Sequence, residues 1–178
     1  MLINIVFTLM LIFAYLVETT FASALQLGNI VPNLVIIVVC MYALLKGRRA
    51  GLIFGFFAGL LIDLFNGYEN VVGINALIYM YIGLVNGIFK DIIYINNFHI
   101  PLISVGLSDL AVSFVNYIIT FLLRNKLNFI YYAKNIIIPE IVYTIIVTLI
   151  VYKLILIIYK KLSDYESRKE AKIDQGDI

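Results

Sequence analysis

The chain alternates long apolar runs with short polar breaks, and six such runs can be drawn along it. The first extends from about Leu2 to Leu25 and is broken by Gln26, Gly28, Asn29 and Pro32. The second extends from about Val31 to Leu45, with Pro32 suited to its first turn, and is closed by Lys46, Arg48 and Arg49. The third covers about Ala50 to Phe65 and ends at Asn66-Gly67, a turn signal. The fourth covers about Val71 to Phe89, the fifth about Ile100 to Leu123 with Pro101 at its start, and the sixth about Ile136 to Tyr159 with Pro139 in its first turn. None alternates with period two, and all are too long for barrel strands, so the pattern predicts helices. A membrane-crossing helix needs about 20 apolar residues. The second run is short for that and is expected to tilt at a thinned bilayer edge or to extend into the preceding loop.

Composition turns this pattern into a class. Of 178 residues, 63% are hydrophobic and only 13% charged, with a mean hydropathy of +1.02. One soluble core of this size cannot bury that much apolar surface. A soluble enzyme, a disordered regulator and a disulfide scaffold are excluded. The expectation is an all-α integral membrane protein: a six-helix transmembrane domain over residues 1–160 and a polar cytoplasmic tail over 161–178. The first run lacks a basic flank and is read as a retained helix, not a cleaved signal.

Charge placement sets the expected orientation. One side of a six-crossing bundle would hold Lys46, Arg48, Arg49, Lys90, Lys160, Lys161, Arg168, Lys169 and Lys172, with Lys153 snorkelling toward it. The other side would hold Arg124, Lys126 and Lys134. The excess places both termini in the cytoplasm. Tyr94, Tyr131, Tyr132 and Tyr159 are read as interfacial anchors in a chain with 13 tyrosines and no tryptophan. The tail mixes signs at helical spacing, as in Asp164 and Arg168, and reads as a solvated helical extension.

Two sets of residues stand out against the apolar background. Gly47, Gly51, Gly55 and Gly59 form overlapping G-x-x-x-G motifs, and Gly83 and Gly87 repeat the spacing. Such glycines let two helix backbones approach closely. Packing inside the chain is the favoured use, ahead of contact with a second copy. The other set is acidic: Glu18, Asp63, Asp109 and Glu140 lie in or at the ends of apolar runs, where a charge costs several kcal/mol unless it faces the bundle interior or an interface. Each helix carrying one has a polar stripe. Thr8, Tyr15 and Glu18 share a face, as do Gly106, Asp109, Ser113 and Asn116, and Glu140, Thr144 and Thr148.

Counting from the helix ends places Glu18, Asn33, Asp63, Asn75 and Glu140 in the outer half as a cluster expected to receive a partner's helix or a ligand. Asp109, Ser113 and Asn116 form a polar core, with Asp109 in the inner half. An aspartyl-protease pair of Asp63 and Asp109 is disfavoured by that difference in depth and by the lack of a Gly-x-Gly-Asp setting. His99 and Cys40 are the only histidine and cysteine, so no metal, cofactor or intrachain disulfide is expected. Nothing points to nucleic acid.

The stretch from Pro32 to Gly87 resembles the rod shape-determining protein MreD family of bacteria. The resemblance rests on Pro32 and Asn33 opening the second helix, the basic loop, and then Gly51, Gly55, Phe56, Gly59, Leu60 and Asp63. Gly73 and Ala76 at the fourth helix complete it, and Glu18 late in the first helix also fits. It implies a non-enzymatic component of the cell-elongation machinery (the elongasome) in the bacterial cytoplasmic membrane. Such a protein binds MreC directly and MreB, RodA and a class B penicillin-binding protein more loosely, and it scaffolds lateral peptidoglycan synthesis. Besides membrane lipids, a homo-oligomer remains open. The family is also similar in fold to the substrate-binding S-components of energy-coupling-factor vitamin transporters. The alternative is therefore a vitamin-binding subunit, against which stands the absence of Ala-x-x-x-Ala in the first helix.

Overall fold

The computed structural model describes residues 2–20, 30–66, 73–92, 99–118 and 133–174. Among these residues six α-helices make the expected all-helical bundle: α1 (Leu2–Thr20), α2 (Leu34–Lys46), α3 (Arg48–Asn66), α4 (Ile74–Ile88), α5 (His99–Tyr117) and α6 (Ile138–Asp174). A 3-10 turn, Phe89–Ile92, follows α4, and a π-helical turn, Ala133–Ile137, leads into α6. By length and composition α1, α5 and the stretch Ala133–Lys169 are able to cross a membrane, while α2 and α4 are shorter apolar helices. The ends expected for the first and fifth runs, together with Arg124, Lys126, Tyr94, Tyr131 and Tyr132, lie outside the described residues.

The shortness of α2 goes with its packing. This helix touches α1, α3, α4, α5 and α6, and every residue from Val35 to Leu45 is buried. A helix enclosed by protein on all sides is apolar all round, and its 13 residues need not match the hydrocarbon thickness. Tyr42 anchors its far end, stacked on Phe54 with ring centroids 4.1 Å apart and edge-on to Phe7 at 5.1 Å. Its start falls later than the sequence suggested. Asn33 is the N-cap, so Pro32 lies just before the helix instead of in its first turn.

The glycine ladder closes one specific contact. Helices α3 and α4 run antiparallel and make the most extensive helix–helix contact among the described elements. A Cβ on Gly55 would fall on the Tyr79 carbonyl, one on Gly59 on the Asn75 carbonyl, and one on Gly51 on the Gly83 carbonyl. From the other side, a Cβ on Gly83 would strike the Gly51 carbonyl, and one on Gly87 would sit 2.6 Å from the Arg48 backbone. The two backbones touch where side chains would normally hold them apart, and the glycines are used inside the chain. Gly47 turns the chain between α2 and α3 with φ +92°, and the Lys90 side chain crosses over it.

Among the described residues most of the basic side chains gather at one end of the bundle, with Lys134 at the other. The Ile3 amide donates to Glu166 at 3.5 Å, and the Tyr42 hydroxyl donates to Asn4 at 3.2 Å. The start of α1, the end of α2 and the late turns of α6 therefore share a level, along with Lys46, Arg48 and Lys90. Helix α6 does not stop at Tyr159. It continues as one helix of 37 residues through the charged stretch to Asp174.

Candidate functional site: carboxyls at the helix starts

A helix begins with backbone N–H groups that have no partner within the helix. In an apolar surrounding each one left bare costs free energy. Helix α2 starts in such a place, and three acceptors meet its first amides. Glu18 Oε2, from α1, accepts from Leu34 at 3.0 Å and from Val35 at 3.3 Å. The N-cap Asn33 accepts from Ile36 through Oδ1 at 3.0 Å. Thr144 of α6 then accepts from the Asn33 amide at 3.2 Å, and Tyr79 of α4 exchanges hydrogen bonds with the Asn33 amide group at 3.2 and 3.3 Å. A negative side chain near a helix N-terminus also meets the favourable end of the helix dipole. Replacing Glu18 by alanine is therefore expected to cost about 2 kcal/mol by baring two amides, read as a lower melting temperature of the protein in detergent. A melting curve unchanged by the substitution would contradict this assignment.

Asp63 does the same for α4 across the glycine contact. The N-cap of α4 is Gly73, at φ +112° and with no side chain to offer. Asp63 supplies what is missing. Its Oδ2 accepts from the amides of Gly73 at 2.9 Å and Ala76 at 3.0 Å. Its Oδ1 accepts from the Asn75 amide at 3.3 Å and from Asn75 Nδ2 at 2.9 Å. Asp63 is buried and Asn75 half-buried.

The remaining acids meet between α5 and α6. Glu140 accepts from the Ser113 hydroxyl at 3.2 Å. Asp109 is fully buried and adjoins Thr144 and Asn33. Its sequence placement in the inner half is corrected: it sits with Asn33 and Thr144 at the start of α2, within electrostatic reach of Glu18 and Glu140. The polar core is otherwise as expected at Ser113, and Thr144 and Thr148 are fully buried. Asn116 is exposed instead, on the outer side of α5 between the half-buried Val115 and the buried Tyr117. Thr8 is exposed too, bonded back to the Asn4 carbonyl. It sits beside the buried stripe of Ile3, Phe7, Leu11, Ala14 and Tyr15.

The outer cluster of the sequence reading thus divides in two. Glu18, Asn33 and Glu140 gather around Asp109, with Tyr79 reaching in from α4. Asp63 and Asn75 form a separate lock between α3 and α4. Sequence reasoning passed over Asn86. It donates to the Ile82 carbonyl at 2.8 Å and to Ser108 at 2.9 Å and accepts from Ser104. That network floors an apolar groove of about 530 Å³ between α4 and α5, lined by Tyr81, Val85, Phe89, Ile103 and Leu107 among others. The signal was present in the sequence as an asparagine inside an apolar run. Among the described residues no group of three His, Cys, Asp or Glu side chains is close enough to hold a metal ion.

Apolar helices facing outward, acids turned inward onto helix starts and a fully enclosed central helix define a helical integral membrane protein. The chain belongs to the rod shape-determining protein MreD family, whose model matches residues 1–162. That family is a non-catalytic, shape-determining one, and membership implies a role in rod shape determination. Searches of curated proteins and of solved structures return no match.

Proposed function

We propose that this chain is a non-enzymatic, multi-pass component of the elongation machinery in the bacterial cytoplasmic membrane, with both termini in the cytoplasm. It binds MreC directly, meets MreB, RodA and a class B penicillin-binding protein indirectly or more weakly, and so scaffolds lateral peptidoglycan synthesis. The observation that carries this reading is the family match, which spans nearly the whole chain. The gathering of basic residues at the end that holds the start of α1 and the late turns of α6 supports the orientation. In this reading Glu18, Asn33, Asp63 and Asn75 serve partner binding by fixing the starts of α2 and α4 that the partner meets, and Glu140 by joining α6 to α5, since their polar atoms are already engaged within the chain.

Co-expression with MreC and purification in mild detergent tests it. The expected result is a complex that survives purification and is weakened by Glu18→Ala and Asp63→Ala roughly in step with their loss of stability. Two proteins that accumulate separately and never co-purify would overturn it. So would a vitamin retained tightly by the chain purified alone, which would favour a transporter subunit.

A further inference from the structure

Three carboxyl groups converge in the interior, and they are not equally provided for. Glu18 Oε2 receives two backbone N–H groups at the start of α2. Glu140 is only half-buried and receives the Ser113 hydroxyl. Asp109 is completely enclosed, and among the described residues neither of its oxygens has a hydrogen-bond partner. Among the described residues the other titratable groups facing it are Glu18 from α1, Cys40 from α2, Tyr79 from α4 and Glu140 from α6. No lysine or arginine is among them. An ionised carboxylate in that position would be a buried charge beside two further acids, with the neutral Thr144 and Asn33 side chains adjoining it and no counter-ion among the described residues, which is a costly state.

We propose that the Glu18–Asp109–Glu140 cluster is a proton-binding site inside the bundle, with the proton held on Asp109. The protonated acid is a donor, and Thr144 Oγ1, which accepts one hydrogen bond from the Asn33 amide, has a lone pair left to receive it. The proton thereby ties α5 to the same Thr144–Asn33 junction that sets the start of α2. Its departure would leave a buried charge without a counter-ion beside Glu18 and Glu140 and push α1, α5 and α6 apart.

Infrared spectroscopy of the full chain in lipid nanodiscs at neutral pH tests this. The expected spectrum holds the carbonyl band of a protonated carboxylic acid. That band shifts on transfer to heavy water, shifts again when aspartate is labelled with carbon-13, and vanishes in Asp109→Asn. If Asp109→Asn does not accumulate, Asp109→Ser serves for the same assignment. Absence of the band from the wild-type spectrum overturns the proposal. Insensitivity to aspartate labelling, or persistence of the band in the Asp109 variant, also overturns it.

Discussion

Replacing Gly55 by leucine is expected to disrupt the α3–α4 contact and to cost about 3 kcal/mol or more. The side chain has no space to enter, because the first added carbon already meets the Tyr79 carbonyl and the Met80 Cα lies 3.3 Å from it. Neither atom belongs to a flexible side chain that can step aside. The two helices must separate, which opens the Asp63 lock and bares the start of α4. Alanine at Gly55 is expected to show the same effect in weaker form. Gly73 provides the control: a Cβ there meets nothing within 4 Å, so Gly73→Ala is expected to cost only the backbone strain of its positive φ, about 1–2 kcal/mol. Denaturation of the purified proteins in detergent ranks the three. Gly55→Leu melting like the wild type would mean that α3 and α4 do not lie backbone to backbone.

The second large effect is expected at Asp63. Asp63→Ala removes the acceptor for three amides and for the Asn75 side chain at once. Buried donors left without a partner cost about 1–3 kcal/mol each, and partial relaxation toward water reduces the sum. A loss of about 3 kcal/mol is expected, with Asp63→Asn falling between alanine and wild type because its amide keeps one acceptor oxygen. Melting temperature and the level of protein in the membrane both report it. If Asp63→Ala were as stable as the wild type yet lost MreC, the carboxyl would face the partner and not the α4 start.

The sequence disclosed the architecture because membrane helices announce themselves. Apolar runs located six helices among the described residues, with α2, α3 and α4 bounded to within a few residues, and G-x-x-x-G spacing marked the α3–α4 contact. Boundaries were less visible. That α2 starts at Leu34 depends on Asn33 capping Ile36, a local hydrogen bond that hydropathy does not register. That α6 runs on through its charged turns reflects the absence of any proline or glycine from Ile155 to Asp174.

The acids themselves were equally plain in the sequence, but not their use. A carboxyl in an apolar run signals a buried task, and a partner or ligand was the expected recipient. The recipients found are amides of the same chain, 16 and 17 residues away for Glu18 and 10 to 13 residues away for Asp63. Such pairings arise only when helices are placed side by side, and spacing along one helix carries no trace of them. Asp109 shows the same limit. Counted along α5 alone it fell in the wrong half, because its level is set by Asn33 and Thr144 on two other helices.

The central claim is that Glu18 and Asp63 work inside the chain by holding the starts of α2 and α4. Amide hydrogen exchange tests it most directly, read by NMR at Leu34, Val35, Gly73 and Ala76 in the wild type, Glu18→Gln and Asp63→Asn. Faster exchange is expected at Leu34 and Val35 in the first variant and at Gly73 and Ala76 in the second, each confined to its own helix start. Wild-type exchange rates at all four amides in both variants would contradict it.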